Sequence, residues 1–529
     1  MDNNRNTLLA IALSLLVLLG WQFLYVNPKL DAERKAAEIE RIQNSGEQGG
    51  APAAQSGAQT AQPGQPSTAV PGSGPAVPGT AGVQQELGRD QAIAKSPRVP
   101  VENSDIIGSI NLKGGRLDDL RLKNYRVTID RNSPLVTLLS PADLRDGYFA
   151  EFGWVGSATS GEVPGPETVW SAPQGAVVGP GKPVVLTWTS PSGITFTRTI
   201  ALDEHYMFTV SDKVANNTAA DVAMAPYGRV TRFEKPVSQA NYVLHEGMIG
   251  VLGEEGLHEI TYSSIEEDRS FTTPAAVNEG WLGITDKYWA AVMSPSGEYQ
   301  PRFSFFDDGR QRFQADFLGS EMKVAAGQSL EVTQKLFAGA KEVDVIDNYE
   351  TSLGIKNFEL LIDWGWFYFI TKPMFWLIDT LYQLLGNFGL AILATTVVVK
   401  AIFFPLANKS YASMANMKMV QPKMLEIREK YADDKMKQQQ AMMELYKAEK
   451  INPLAGCWPI LIQIPVFFAL YKVLYVTIEM RHAPFFGWIQ DLAAPDPTSI
   501  FNLFGLLPYS VPLFLMIGVW PLIMGVTMF

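Results

Sequence analysis

Cysteine and histidine are the scarcest chemistry-bearing residues in this chain. A single cysteine, Cys457, in 529 residues excludes a disulfide within the chain. His205, His245 and His258 are scattered without the spacing of a metal-ligand set, so no metal is expected. Charged residues make up only 18% and their balance is -11, which argues against a nucleic-acid-binding body and against sequence-specific contact with DNA or RNA. No glycine-rich phosphate-binding loop is present, so neither a nucleotide fuel nor another cofactor is expected. The acidic pairs Glu254-Glu255 and Glu266-Glu267 fall in segments that read as loops, where a solvated surface is the ordinary role and an acid/base pair the exception. These absences argue against an enzyme.

What is present is apolar: 47% of the residues, gathered into long runs. Residues 389–411, "GLAILATTVVVKAIFFPLANKSY", are long enough to cross a bilayer and carry one lysine within the run. At 1.5 Å per residue Lys400 lies roughly 14 Å along a helix from Lys409, near mid-membrane. Insertion scales put the cost of a central lysine at about 2.5 to 3.5 kcal/mol, so it is expected to face water, a partner or a cavity rather than lipid. Thr396 stands one turn earlier on the same face and brings a hydroxyl to that space.

The rest of the chain arranges itself around this span. Residues 1–26 contain the apolar run "TLLAIALSLLVLLGWQFLYV", followed by no small-x-small cleavage site, which predicts an uncleaved anchor. Residues 27–103 hold a charged helix-prone stretch and a Gly/Pro/Ala-rich tract that cannot bury a core and reads as a flexible linker. From 104 to 342 short β-branched and aromatic runs alternate with turn residues. The clearest are 184–189 and 194–200 around the Ser190-Pro191-Ser192-Gly193 turn, and they predict one large antiparallel β-sandwich. Residues 343–386 form a connector and an aromatic-rich amphipathic helix lying in the interface, and 387–410 the lysine-bearing span. A helical hairpin is expected at 411–450, a span at 451–478, a polar loop at 479–499 and a further apolar segment at 500–529. Gln463 is a polar residue inside the 451–478 span, and Lys472 near its outer end reads as a snorkelling lysine.

Orientation follows from the hairpin. Its lysines and arginines, among them Lys418, Lys423, Arg428, Lys430 and Lys447, outnumber its acids, which places it in the cytoplasm by the positive-inside rule. The β domain then lies outside, the N-terminus inside, and the chain is multi-pass. Met417, Met424, Met442 and Met443 give the hairpin a soft apolar face, suited either to its own seam or to docking variable hydrophobic segments.

Three stretches, "VVVKAIFFPLANKSYASMANMKMVQPKM", "MMELYKAEKINPLAGCWPILIQIPVFFALY" and "RHAPFFGWIQDLAAPDP", are similar to the core of the YidC family of membrane protein insertases. The order of parts resembles that of its Gram-negative members. The resemblance implies a non-enzymatic insertase and chaperone of the bacterial inner membrane, with a periplasmic β domain and a groove open to cytoplasm and lipid. In that groove a basic residue receives the polar part of a nascent membrane protein. It further implies ribosome-nascent chain complexes, the Sec translocon and the lipid bilayer as partners. Many family members carry arginine where this chain has Lys400, so the positive charge is kept while the bidentate fork is lost. The family continues through two more core spans and a basic tail beyond the segment that ends at Phe529.

On this reading Lys400, Thr396 and Gln463 line the groove, and Met417, Lys418, Met424, Met442 and Met443 belong to a cytoplasmic capture hairpin. The rival from another class is a secondary transporter or channel using Lys400 as counter-ion for a small anion. Transporters commonly show paired repeats of hydrophobic segments, and these spans show none.

Overall fold

Alternation of buried and exposed side chains builds the larger part of the molecule. In Ile194–Leu202 every second residue is buried, and the strand pairs antiparallel with Met207–Asn216 in the register Ile194 to Asn216 through Leu202 to Phe208. The period of two puts one face of each strand on a core and leaves the other to polar residues. The computed structural model describes residues 81–236, 244–432, 434–449, 458–494, 498–503, 506–507 and 517–528. The expected anchor at 1–26, most of the 27–103 linker, Cys457 and part of 500–529 lie outside the described residues.

Two antiparallel sheets make the β-sandwich. One runs Arg98–Glu102, Ile106–Asn111, Arg116–Arg126, Tyr148–Gly156, Val222–Phe233, Gln311–Gly319, Tyr299–Asp307, Ser270–Thr272, with Leu135–Leu139 and Met322–Val324 added at its third and fifth strands. The other runs Leu257–Thr261, Gly247–Leu252, Gly280–Thr285, Trp289–Ser294, Ser329–Ala340, Met207–Asn216, Ile194–Leu202, Val184–Thr189. The sheets are also tied by polar bonds through the core. Arg198 holds Asp212 with two bonds of 2.7 Å and donates at 2.8 Å to the Phe152 carbonyl of the opposite sheet. Phe196, Phe208, Trp281, Phe303, Phe313 and Phe337 are fully buried between them.

The folded part starts earlier than the linker reading allows. Helix α1 (Ala81–Ala94) and strand Arg98–Glu102 fall inside 27–103. Arg89 anchors the helix: buried to 8% exposure, it pairs with Asp119, donates to Ser140 Oγ at 3.1 Å and to the Leu139 carbonyl at 3.0 Å. A weakly amphipathic, alanine- and glutamine-rich segment carries no periodic signal, and its partner lies 30 positions away. Glu266-Glu267, read as a loop pair, sits on the short helix α2 (Tyr262–Asp268), where Glu266 meets Lys235 at 2.5 Å.

After the sandwich come helix α3 (Val343–Leu353), a 3-10 turn at Phe358–Leu361 and helix α4 (Tyr368–Leu385). Helix α4 turns Thr371, Met374, Phe375 and Ile378 inward and leaves Phe369, Trp376 and Leu384 exposed, the one-sided pattern of an amphipathic helix. Helix α5 (Phe388–Lys430) is a continuous 43-residue helix. The expected boundary between span and hairpin at 410/411 is therefore not a helix boundary: Pro405 and Pro422 lie within it, and it runs on until Lys430. Its start is fixed by Asn387, whose side chain accepts the Leu390 N–H at 3.1 Å. Helix α6 (Lys435–Ala448) is capped by Asp434, which accepts the Lys437 N–H at 3.1 Å. Helix α7 (Trp458–Val476) packs with α4 and α5, and helix α8 (Val519–Met528) is the last element among the described residues.

Candidate functional site

Among the described residues α5 is the one helix long and apolar enough to cross a membrane; α7 contributes a shorter apolar segment, Leu461–Val476. The apolar part of α5 is not the core helix of a soluble body. Leu393, Val397, Ile402 and Phe404 are 55 to 68% exposed, on more than one side of the helix, an apolar surface whose natural solvent is hydrocarbon.

On the inner side of that helix a cavity of about 30 Å³ is lined by Met374 of α4, Thr395, Thr396, Val399 and Lys400 of α5, and Gln463, Val466, Phe467 and Leu470 of α7. That is room on the scale of a single water. The three residues singled out from sequence are thus on one cavity, although Gln463 comes from a different helix. Among the described residues no acid pairs with Lys400. Thr396 already donates its hydroxyl to the Ile392 carbonyl at 3.0 Å, so toward the cavity it offers lone pairs only. The residue that sequence reading passed over is Thr395. It is 1% exposed, and its hydroxyl oxygen is buried with no partner among the described residues. The signal was its place one turn before Val399, on the flank of the face read through Thr396 and Lys400.

In the hairpin the methionines divide. Met417, Met424 and Met442 are half-buried, Met424 receiving the Tyr446 hydroxyl at 4.0 Å, while Met443 is 63% exposed, as are Met419 and Met436 still more. Lys418 is exposed, and Lys423 pairs with Glu449 at 2.6 Å across the two arms. The seam and an open apolar surface coexist.

The β domain is fastened to the C-terminal end of α7, and here the snorkelling reading of Lys472 is corrected. Lys472 is 3% exposed and its Nζ lies 2.8 Å from Asp363 in the connector. Asp363 also accepts the His245 backbone N–H at 2.9 Å. Gly365, with φ of 74°, brings the connector so close that an added Cβ would stand 3.3 Å from Lys472 Cε. Beyond α7, Glu479 accepts the Val343 N–H at 3.0 Å at the start of α3, and burial pushes its carboxyl up to about 7. Lys287 lies 3.6 Å over the Tyr475 ring, with burial lowering its ammonium to about 8. Arg481 donates at 2.6 Å to the Arg126 carbonyl of the first sheet. The histidines are dispersed: His205 meets Asp105, His245 the Met248 carbonyl, His258 Glu255 and His482 Asp491. Among the described residues no cluster of metal-ligating side chains occurs.

An antiparallel sandwich joined to a helical region with a membrane-length helix defines the class. Comparison with known proteins then gives the lineage. Residues 98–377 match the YidC periplasmic domain family and residues 380–529 the 60Kd inner membrane protein family. A membrane protein insertase YidC from Mesorhizobium japonicum is 61% identical over all of this chain and 87% of its own length, and one from Brucella suis biovar 1 is 57% identical over all of this chain and 87% of its own. The chain belongs to the YidC family of inner-membrane insertases. A crystal structure of an active YidC insertase aligns with 78% of this chain and 82% of its own at 18% identity and a TM-score of 0.26. A galactose mutarotase related enzyme from Lactobacillus acidophilus aligns with 46% of this chain and 97% of its own at 9% identity and a TM-score of 0.32. Likenesses this distant carry no argument about activity.

Proposed function

We propose that this protein moves client transmembrane segments from the cytoplasm into the inner membrane through a hydrophilic groove, open to lipid, that contains Lys400. The observation that carries this is the convergence of Lys400, Thr396, Thr395 and Gln463 from two helices on one cavity at the expected middle of the membrane. The apolar part of α5 and helix α7 cross the membrane, α4 lies in its outer interface, the sandwich is periplasmic, the N-terminus is cytoplasmic, and the α5–α6 hairpin is cytoplasmic. Clients are nascent membrane proteins delivered by ribosomes, inserted alone or together with the Sec translocon.

The physics needs no fuel. A client's polar flank must cross hydrocarbon, and a cavity reaching mid-membrane with a positive charge in it shortens the unsolvated path. Lys400 attracts acidic or polar client groups, Gln463 and Thr395 offer hydrogen bonds, and burial of the client's apolar segment in lipid drives the step. The exposed methionines Met419, Met436 and Met443 adapt to clients of different shape at first contact. A photoreactive residue at Thr396 or Gln463 should crosslink to a nascent membrane protein in stalled ribosome complexes. Crosslinks confined to lipid, with the hairpin also unlabelled, would reject the groove.

A further inference from the structure

A second and much larger cavity lies away from Lys400, where the sandwich, the connector and the C-terminal end of α7 meet. Its volume is about 1190 Å³. One wall is the edge strand Leu257–Thr261 of the second sheet, whose residues Leu257, Glu259 and Thr261 share the face turned to it. The other is aromatic: Trp366, Phe367 and Tyr368 from the connector and the start of α4, and Phe468 from α7.

The charges on this cavity are unequal in their engagement. Lys472 is paired with Asp363, Lys235 with Glu266, and Glu246 accepts the Lys287 backbone N–H at 3.0 Å. Glu259 alone of these carboxylates has no hydrogen bond or ion pair among the described residues, and it stands exposed on the edge strand. A carboxylate with no ion-pair partner, on a cavity shared with aromatic rings and with Lys472 and Lys341 acting on it only from a distance, has the chemistry to take an ammonium group. An anion finds the cations here already taken and Glu259 opposing it. At the rim Trp366 is 96% exposed and Phe369, on the open face of α4, 70% exposed, which gives an apolar track leading out of the cavity.

We propose that this cavity binds the ammonium headgroup of a zwitterionic phospholipid, with Glu259 and the aromatic wall holding the ammonium and the Trp366–Phe369 side receiving the acyl chains. The membrane-facing position of the rim rests on the reading of α4 as interfacial. The site itself is tested without a bilayer, so failure there falls on the site and leaves that reading untouched.

The experiment uses the full chain in detergent with a short-chain phosphatidylethanolamine, its N-acetylated analogue and phosphatidylglycerol of the same chain length, followed by native mass spectrometry. Phosphatidylethanolamine should be retained, and both other lipids should bind about tenfold more weakly, roughly 1.4 kcal/mol. Glu259→Gln, on an exposed edge strand, should bring phosphatidylethanolamine down to their level, and Trp366→Ala should weaken all three. Equal retention of the N-acetylated analogue, unchanged binding by Glu259→Gln, or displacement of the lipid by an extended peptide at equal concentration would overturn the assignment.

Discussion

Lys472 Nζ and Asp363 Oδ2, 109 positions apart in sequence, lie 2.8 Å from each other and join the C-terminal part of α7 to the connector that follows the sandwich. With the lysine 3% and the aspartate 17% exposed, the pair is largely withdrawn from water. Removing one partner by Lys472→Met or Asp363→Asn should cost about 3 to 5 kcal/mol, and the double variant should recover most of it. A thermal double-mutant cycle in detergent checks this; additive losses would show that the two residues act separately.

Glu479 makes the same junction sensitive to pH. Its folded pKa, near 7, lies above the ordinary 4.5, so the folded state holds the proton more tightly than the unfolded one. Stability from this group is fully present below about 4.5 and declines as pH rises through 7, by on the order of 3 kcal/mol at most. Glu479→Gln keeps an acceptor for the Val343 N–H and should flatten the stability profile between pH 5 and 8 while raising stability at pH 8. An unchanged slope would place the pH dependence elsewhere.

Thr395 and Arg89 show why some of this was not legible in the sequence. The strands were, since 184–189 and 194–200 alternate in sequence apart from Arg198, and Lys400 was, since a charge inside an apolar run stands out by itself. Arg89, Lys472 and Glu479 take their meaning from Asp119, Asp363 and Val343, which lie 30, 109 and 136 positions away, and no local period encodes such pairs. Gln463 was legible as an oddity within a span, while its place beside Lys400 depends on how α7 packs against α5. The continuity of α5 was hidden because its composition changes at residue 410 while its backbone does not.

Thr395→Val separates a functional hydroxyl from a structural one. An unpartnered buried hydroxyl costs about 1 to 3 kcal/mol, so valine should leave stability unchanged or improve it. Insertion should nevertheless fall several-fold if the hydroxyl serves a client. Wild-type insertion in pulse-labelling by a stable Thr395→Val protein would remove Thr395 from the groove.

Shortening both arms of the α5–α6 hairpin while keeping Lys418 and Lys447 should impair insertion strongly without reversing orientation, as followed by cysteine accessibility and pulse-labelled clients. On the proposed function the hairpin, with its exposed methionines and its Lys423–Glu449 clasp, is where a client is first captured. Normal insertion by a shortened, correctly oriented variant would reduce the hairpin to a topological signal.

Depletion-rescue with Lys400 variants tests most directly whether a positive charge in the cavity receives the client, as proposed. Lys400→Arg should restore insertion, whereas Lys400→Ala should impair it and Lys400→Glu impair it further, each at membrane levels matching the parent. Full rescue by Lys400→Glu would contradict the electrostatic account.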